Sequence, residues 1–173
     1  MPAVIVETGA GLTNANSYVA IADVDTYTAD HGADALWDAA SEAEQQEAVI
    51  EATQYIDAVY NARWLGLRTN RTQRLAWPRA GIVDPDGYDV DSDDLPRALE
   101  EATIEAALRH FSETDGLLAD VAKPGGVKRE RVKVGPIEEE IEYTGGRSDY
   151  PRFAIIDRML VHLVTSSRTV SRG

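Results

Sequence analysis

Apolar side chains recur at helical spacing in the longest patterned segment, residues 41–64. Ser41 and Glu44 stand three residues apart at its start, and this combination predicts a capping box. The residues that follow place apolar side chains on one face at intervals of three and four. We therefore expect a long helix that buries Ala48, Ala52, Tyr55, Ile56 and Val59.

Three further segments show the helical period over shorter lengths. Residues 21–30 predict a short helix that ends at His31-Gly32. Another predicted helix carries Pro96 in its first turn, where no N–H donor is needed. The last begins after Asp149 and Pro151. The pattern predicts a mainly α fold of about four helices around a small core, within a single domain over residues 1–164.

Two segments have the character of strands. Residues 3–7 predict a short N-terminal strand, and residues 127–143 predict a β-hairpin arm between the third and fourth helices. With a turn at Gly135-Pro136, a basic row faces an acidic row. Because proline fits poorly in two-residue turns, a wider loop is the alternative, and it would shift this register. The expected pairs are Arg129 with Glu142, Arg131 with Glu140 and Lys133 with Glu138.

Charge is distributed unevenly along the 173 residues, whose formal net charge is −13. Residues 1–60 hold eleven acids and no Lys or Arg, whereas residues 61–81 hold five arginines and no acid. A strongly acidic chain repels phosphate backbones, which disfavours general DNA binding. There is no cysteine, so disulfides and thiolate chemistry are excluded. The N-terminus lacks a signal-peptide pattern, so we expect a soluble, intracellular protein without a membrane role.

The glycine-rich segment and the acidic turn are two candidates for ligand binding. "TGAGLTN" begins like a dinucleotide fingerprint, but Asn14 replaces the third glycine, so an ordinary loop is expected. In "DPDGYDVDSDD" the EF-hand ligand set is incomplete, which leaves Asp84, Asp86 and Asp89 as weak metal candidates and a solvated turn as the main expectation. The three histidines lie in separate elements, so no metal site, cofactor or catalytic set is predicted.

At and near the basic segment "NRTQRLAWPRAG", residues 70–81, arginines mix with the aromatic rings of Trp64 and Trp77. Arginines and stacking rings line single-stranded nucleic-acid grooves, so a DNA grip is one interpretation. The other is a docking corner bent by Pro78, in which Trp77 is buried within the subunit or against a neighbour. The candidate contact residues are Trp64, Arg71, Arg74, Trp77, Pro78 and Arg79.

Several segments together resemble a family of tailed-bacteriophage proteins often labelled DnaT-like single-stranded DNA-binding. The similar segments are "VIVETGAGLTNANSYVAIADVDTY", "ATQYIDA", "RWLGLRTNRTQRLAWPRAGIVDPDGY", "LPRALEEATIEAAL" and "VKRERVKVGPIEEEIEY". The resemblance implies a non-enzymatic head-tail connector: a small helical subunit of a ring, usually of twelve copies, beneath the portal. The implied partners are other copies, the portal, a tail-side neck or stopper protein, and passing double-stranded DNA. The implied location is the neck of the virion, with the host cytoplasm during assembly.

The acidic composition fits this connector hypothesis. Twelve copies at −13 each carry a formal charge of −156, and an acidic lumen lets DNA pass without adhesion. Candidates for the channel lining are Asp84, Asp86, Asp89, Asp91 and Asp93. The hairpin arm and a flexible basic tail, residues 165–173 with Arg168 and Arg172, would contact neighbouring subunits or the portal. The alternative function is single-stranded DNA binding in phage replication.

Overall fold

The computed structural model describes residues 3–113, 116–118 and 152–165, and the backbone of residues 127–133 and 138–143. Five helices lie in this part of the chain: α1 (Ile21–His31), α2 (Ala35–Ala39), α3 (Glu42–Tyr60), α4 (Arg97–His110) and α5 (Ala154–Met159). The strands are β1 (Leu67–Arg68), β2 (Arg79–Ala80), β3 (Val127–Lys133) and β4 (Glu138–Tyr143). The mainly α fold with a small hairpin is confirmed.

Local signals in the sequence set the helix boundaries. At the start of α3 the Ser41 N–H donates to the Glu44 carboxylate at 2.8 Å, and the Glu44 N–H donates to the Ser41 hydroxyl at 3.4 Å, which forms the expected capping box. Gly32, at φ 120°, follows the end of α1. Pro96 is the N-cap of α4 rather than a residue of its first turn. The sequence pattern did not predict α2, whose five residues include Trp37.

The core lies where α3, α4 and α5 pack against the loops that precede and follow α3. Burying a large apolar side chain contributes about 1.5–3 kcal/mol. The largest side chains buried in this core are aromatic. The indole N–H of Trp37 donates a hydrogen bond to the Asp25 carboxylate at 2.8 Å. The largest fully buried side chains include Trp37, Trp77, Tyr18, Tyr55, Tyr60, Ile56, Ile82, Leu99, Leu117, Ile156 and Leu160.

The predicted N-terminal strand was wrong. Residues 3–7 form a single parallel bridge, between Val6 and Ser17, instead of a ladder. Their partner is an irregular loop, and its Asn16 side chain accepts a hydrogen bond from the Ile5 N–H at 2.6 Å. A strand exists only where another extended segment pairs with it, and this loop supplies too few backbone partners.

The N-terminal loop also packs closely against the acidic loop that precedes α4. Gly9 lies so close to the Asp93 carbonyl oxygen that a Cβ added to Gly9 would meet it at 1.9 Å. The φ of Gly9 is +89°, a conformation that other residues rarely adopt.

The hairpin register is the one that the sequence predicted. β3 and β4 are antiparallel, with Arg129 opposite Glu142, Arg131 opposite Glu140 and Lys133 opposite Glu138. An irregularity lies between Val127 and Arg129. The expected turn at Gly135-Pro136, and the tail residues Arg168 and Arg172, lie outside the described residues.

Candidate interaction surfaces

Trp77 of the basic segment and the nearby Trp64 are part of the core. Trp77 has no exposed surface, and Trp64 is 7% exposed. The two rings meet edge to face with centroids 5.8 Å apart, and Trp64 also contacts Tyr60 at 5.7 Å. Of the two alternatives for Trp77, burial within the subunit is therefore the observed one. A buried ring cannot stack on a nucleic-acid base.

A buried polar network holds the backbone before Pro78. The Trp77 N–H donates to the Tyr18 hydroxyl at 3.2 Å, and this hydroxyl donates to the Asp57 carboxylate at 2.5 Å. The Ala76 N–H donates to the other Asp57 oxygen at 2.9 Å. Burial raises the pKa of the Asp57 carboxyl above its ordinary value, although these donors favour the ionised form. The Trp77-Pro78 peptide bond is cis.

Arg79 uses its guanidinium inside the subunit. It donates to the carbonyl oxygens of Leu65 at 2.6 Å, Gly66 at 2.7 Å and Ala76 at 3.2 Å. Arg79 thus joins the two sides of the β1–β2 ribbon and uses three of its five N–H donors within the subunit. The sequence grouped it with Arg71 and Arg74, but its role here is structural.

The exposed remainder of the corner is a basic ridge, which we define as Leu67, Arg68, Arg71 and Arg74. Leu67 is 78% exposed, and all three arginines are exposed. Arg68 donates to the Leu75 carbonyl at 2.9 Å. In the described part of the chain, the side chains of Arg71 and Arg74 have neither a hydrogen bond nor an ion pair. The ridge therefore presents free positive charge beside an exposed apolar side chain.

The acidic turn at residues 84–89 satisfies its own backbone. The Asp84 carboxylate accepts from the N–H groups of Asp86 at 2.9 Å and Tyr88 at 2.8 Å, and Val83 pairs with Asp89. Among the described residues, no group of three or more His, Asp or Glu side chains is placed to hold a metal ion. Asp86, Asp89, Asp91 and Asp93 are exposed, and their channel-lining role stays a prediction.

The glycine-rich loop does form an anion cradle, but the chain fills it. One Glu7 oxygen accepts from the N–H groups of Thr8 at 3.0 Å, Gly9 at 3.1 Å and Gly11 at 2.9 Å. The other accepts from the Leu12 N–H at 2.8 Å. Glu7 is 2% exposed. Since the carboxylate takes these donors, none of the four is left for a phosphate.

An acidic groove of about 350 Å³ lies between α1 and α4. Four carboxylates line it, from Asp23, Asp30, Glu100 and Glu101, against one guanidinium, from Arg97, which pairs with Glu101 at 2.7 Å. Burial raises the pKa of the Glu100 carboxyl, and repulsion by Asp23, Asp94 and Glu101 raises it further. The groove thus holds more negative charge than the chain itself compensates.

The walls of the groove add apolar and aromatic surface. Tyr27 and His31 are stacked with centroids 4.0 Å apart, and the buried side chains of Val19 and Ile104 also line it. Burial and a hydrogen bond to Glu105 raise the pKa of Tyr27 to about 12. The sequence analysis missed this site. Its one signal was the spacing of Asp23, Thr26, Tyr27 and Asp30, which puts them on one face of a helix.

These features define a small, mainly α protein with an acidic groove and a separate basic ridge. The chain belongs to the family described as "Putative DnaT-like ssDNA binding protein", whose model matches residues 2–173. The match confirms the family that the sequence resembles, whereas the head-tail adaptor role stays a prediction. The comparison with curated proteins and the comparison with solved structures each found no match. In the part of the chain that is described, no helix has the length and apolar content to cross a bilayer.

Proposed function

We propose that this chain is a structural virion protein that forms a ring-shaped head-tail adaptor beneath the portal. The observation that carries the proposal is the burial of Trp77 and Trp64 within the subunit. The basic corner around residues 64–79 thereby lacks stacking rings, while an acidic exterior suits a conduit along which packaged DNA slides. The proposed partners are other copies of the same chain, in a ring of twelve, together with the portal and a tail-side neck or stopper protein.

The proposed location is the neck of the virion, reached from the host cytoplasm during assembly. In the ring, the exposed acids of residues 84–93 face the channel, and the hairpin arm, residues 127–143, contacts a neighbour. The role is non-enzymatic.

Electron microscopy of the purified chain mixed with its portal protein tests the proposal. We expect rings coaxial with the portal and a lumen lined by the 84–93 acids. Particles made without the chain should be DNA-filled heads without tails. A chain that neither forms rings with the portal nor occurs in purified virions would contradict the adaptor role.

Single-stranded DNA binding in phage replication is the second candidate. The family description favours it, and so do the side chains of Arg71 and Arg74, which have no partner among the described residues. A labelled oligonucleotide should then bind at submicromolar concentration, with an affinity that falls steeply with salt. Replacing Arg71 and Arg74 by Gln should weaken this binding, while the same change at the exposed Arg152 and Arg158 is the control. Affinity that is unmeasurable even at low salt would exclude this function.

A further inference from the structure

The acidic groove between α1 and α4 has the chemistry of a receptor for an arginine-bearing segment. Its carboxylates accept bidentate hydrogen bonds from guanidinium groups, and the stacked pair of Tyr27 and His31 offers a ring face to a cation. Val19 and Ile104 also line the groove, but they are 1% and 5% exposed and add little apolar surface. An occupant that fits must therefore carry arginines.

The basic ridge of the same chain has this composition. Arg71 and Arg74 have no carboxylate partner in the described part of the subunit, and Leu67 is 78% exposed. The groove and the ridge share no residue, and they belong to different elements: the groove to α1 and α4, the ridge to β1 and the turn that follows it. Each surface carries the charge that the other lacks.

We propose that the basic ridge of one copy docks into the acidic groove of the next copy. The inference rests on the self-assembly part of the proposed function and names its contact surfaces. Arg71 and Arg74 pair with carboxylates among Asp23, Asp30, Glu100 and Glu101, and Leu67 lies against the stacked rings of Tyr27 and His31.

A contact of this kind is heterologous, because two different surfaces of one chain meet. Heterologous contacts repeat from copy to copy and close into a ring when the rotation between copies allows it. The contact also gives Arg71 and Arg74 carboxylate partners, since the groove of each copy receives the ridge of its neighbour. A basic partner of another kind, such as a portal segment, is the competing occupant.

Cysteine cross-linking tests the contact in the full chain, which contains no native cysteine. A variant with both Arg71→Cys and Glu101→Cys should give a ladder of dimers, trimers and larger species on mild oxidation. Each single variant should stop at dimers, because one cysteine links only two chains. A double variant with Arg152→Cys and Glu47→Cys, at exposed positions outside both surfaces, is the control and should give no ladder.

Charge reversal supplies a second measurement. The ridge variant, Arg71→Glu with Arg74→Glu, and the groove variant, Asp30→Lys with Glu101→Lys, should each lower self-association by about tenfold or more. An equimolar mixture should recover it, since an alternating assembly restores a complementary pair at every contact. Arg152→Glu with Arg158→Glu matches the ridge variant in net charge and should leave self-association near that of the wild type.

The outcomes separate the contact from the adaptor role. A ladder together with recovery in the mixture supports the contact, whether or not the portal binds. Rings without a ladder would leave the adaptor role intact and overturn the contact. Absence of any ladder, or a mixture that stays dissociated although circular dichroism shows both variants folded, would also overturn it. If the groove variant loses binding to a basic portal peptide but keeps its self-association, the occupant of the groove is the portal, and the contact between copies is overturned.

Discussion

Glu7 shows how one side chain decides whether a glycine-rich loop binds an external anion. Backbone N–H groups that converge in such a loop attract a negative charge, and phosphate often supplies it. Here four N–H groups donate to a carboxylate that lies within the same short segment. Because the ligand is covalently attached, the loop gains its order without any dependence on a nucleotide.

Replacing Glu7 by Gln should destabilise the protein. The amide keeps the size of the side chain, but it loses the charge and turns a donor toward the N–H groups. Hydrogen bonds to charged groups contribute about 1.5–3 kcal/mol, so we expect a loss of about 2–3 kcal/mol in the free energy of unfolding. Urea denaturation followed by circular dichroism measures it. Glu47→Gln, at an exposed position, is the isosteric control, and equal stability of the two variants would contradict the cradle.

Replacing Trp77 by Ala tests whether the basic corner is part of the core. Removal of a fully buried aromatic side chain costs about 3–5 kcal/mol. Tyr88→Ala removes a ring that is 73% exposed, and surface changes of this kind usually stay within about 0.5 kcal/mol. Thermal and urea unfolding of both variants give the comparison. A Trp77→Ala chain of unchanged stability that has lost affinity for single-stranded DNA would return Trp77 to a stacking role.

At the level of elements, the sequence predicted what nearby residues determine. The capping box of α3, the glycine after α1 and the opposed charges of β3 and β4 are local or short-range signals, and all were found. α2 was missed because five residues are too few to establish a period. The strand at 3–7 was wrong because pairing depends on a distant partner. The acidic groove, formed by two helices far apart in sequence, required the tertiary packing of α1 on α4.

The packing of α1 against α4 carries an electrostatic cost at Glu100. Its pKa is raised by burial and by neighbouring carboxylates, so the folded state holds the Glu100 proton up to a higher pH than the unfolded state does. The contribution of Glu100 to stability is thus fully present at a pH below the pKa that Glu100 has in the unfolded chain. It is lost as the pH rises through the pKa that Glu100 has in the folded protein. The ionised side chain is unfavourable near neutral pH.

Glu100→Gln should consequently stabilise the subunit near neutral pH. Glu100 is only half-buried, so solvent screening limits the gain to about a few tenths of a kcal/mol. The gain should shrink between about pH 7 and about pH 4, where the wild-type carboxyl takes up its proton. Thermal unfolding across this range at low protein concentration measures it, with the exposed Glu47→Gln as control. An advantage that grows as the pH falls would contradict this assignment.

At the scale of the whole molecule, a formal charge of −13 on 173 residues opposes the compact state. We expect the melting temperature to rise as sodium chloride is added, because the Debye length falls from about 30 Å at 0.01 M to about 10 Å at 0.1 M and screens this repulsion. Differential scanning fluorimetry measures the shift. A variant with Asp86, Asp89 and Asp91 replaced by Asn should show a smaller shift, and a melting temperature that falls with salt would contradict the explanation.

The close approach of Gly9 to Asp93 limits how this chain can change in evolution. Any side chain at position 9 would collide with the Asp93 carbonyl oxygen, which is backbone and cannot be removed by a second substitution. Two loops separated by more than eighty positions therefore evolve under one shared constraint. Insertions and deletions should accumulate elsewhere in either loop, while the glycine and the backbone that it touches remain in place together.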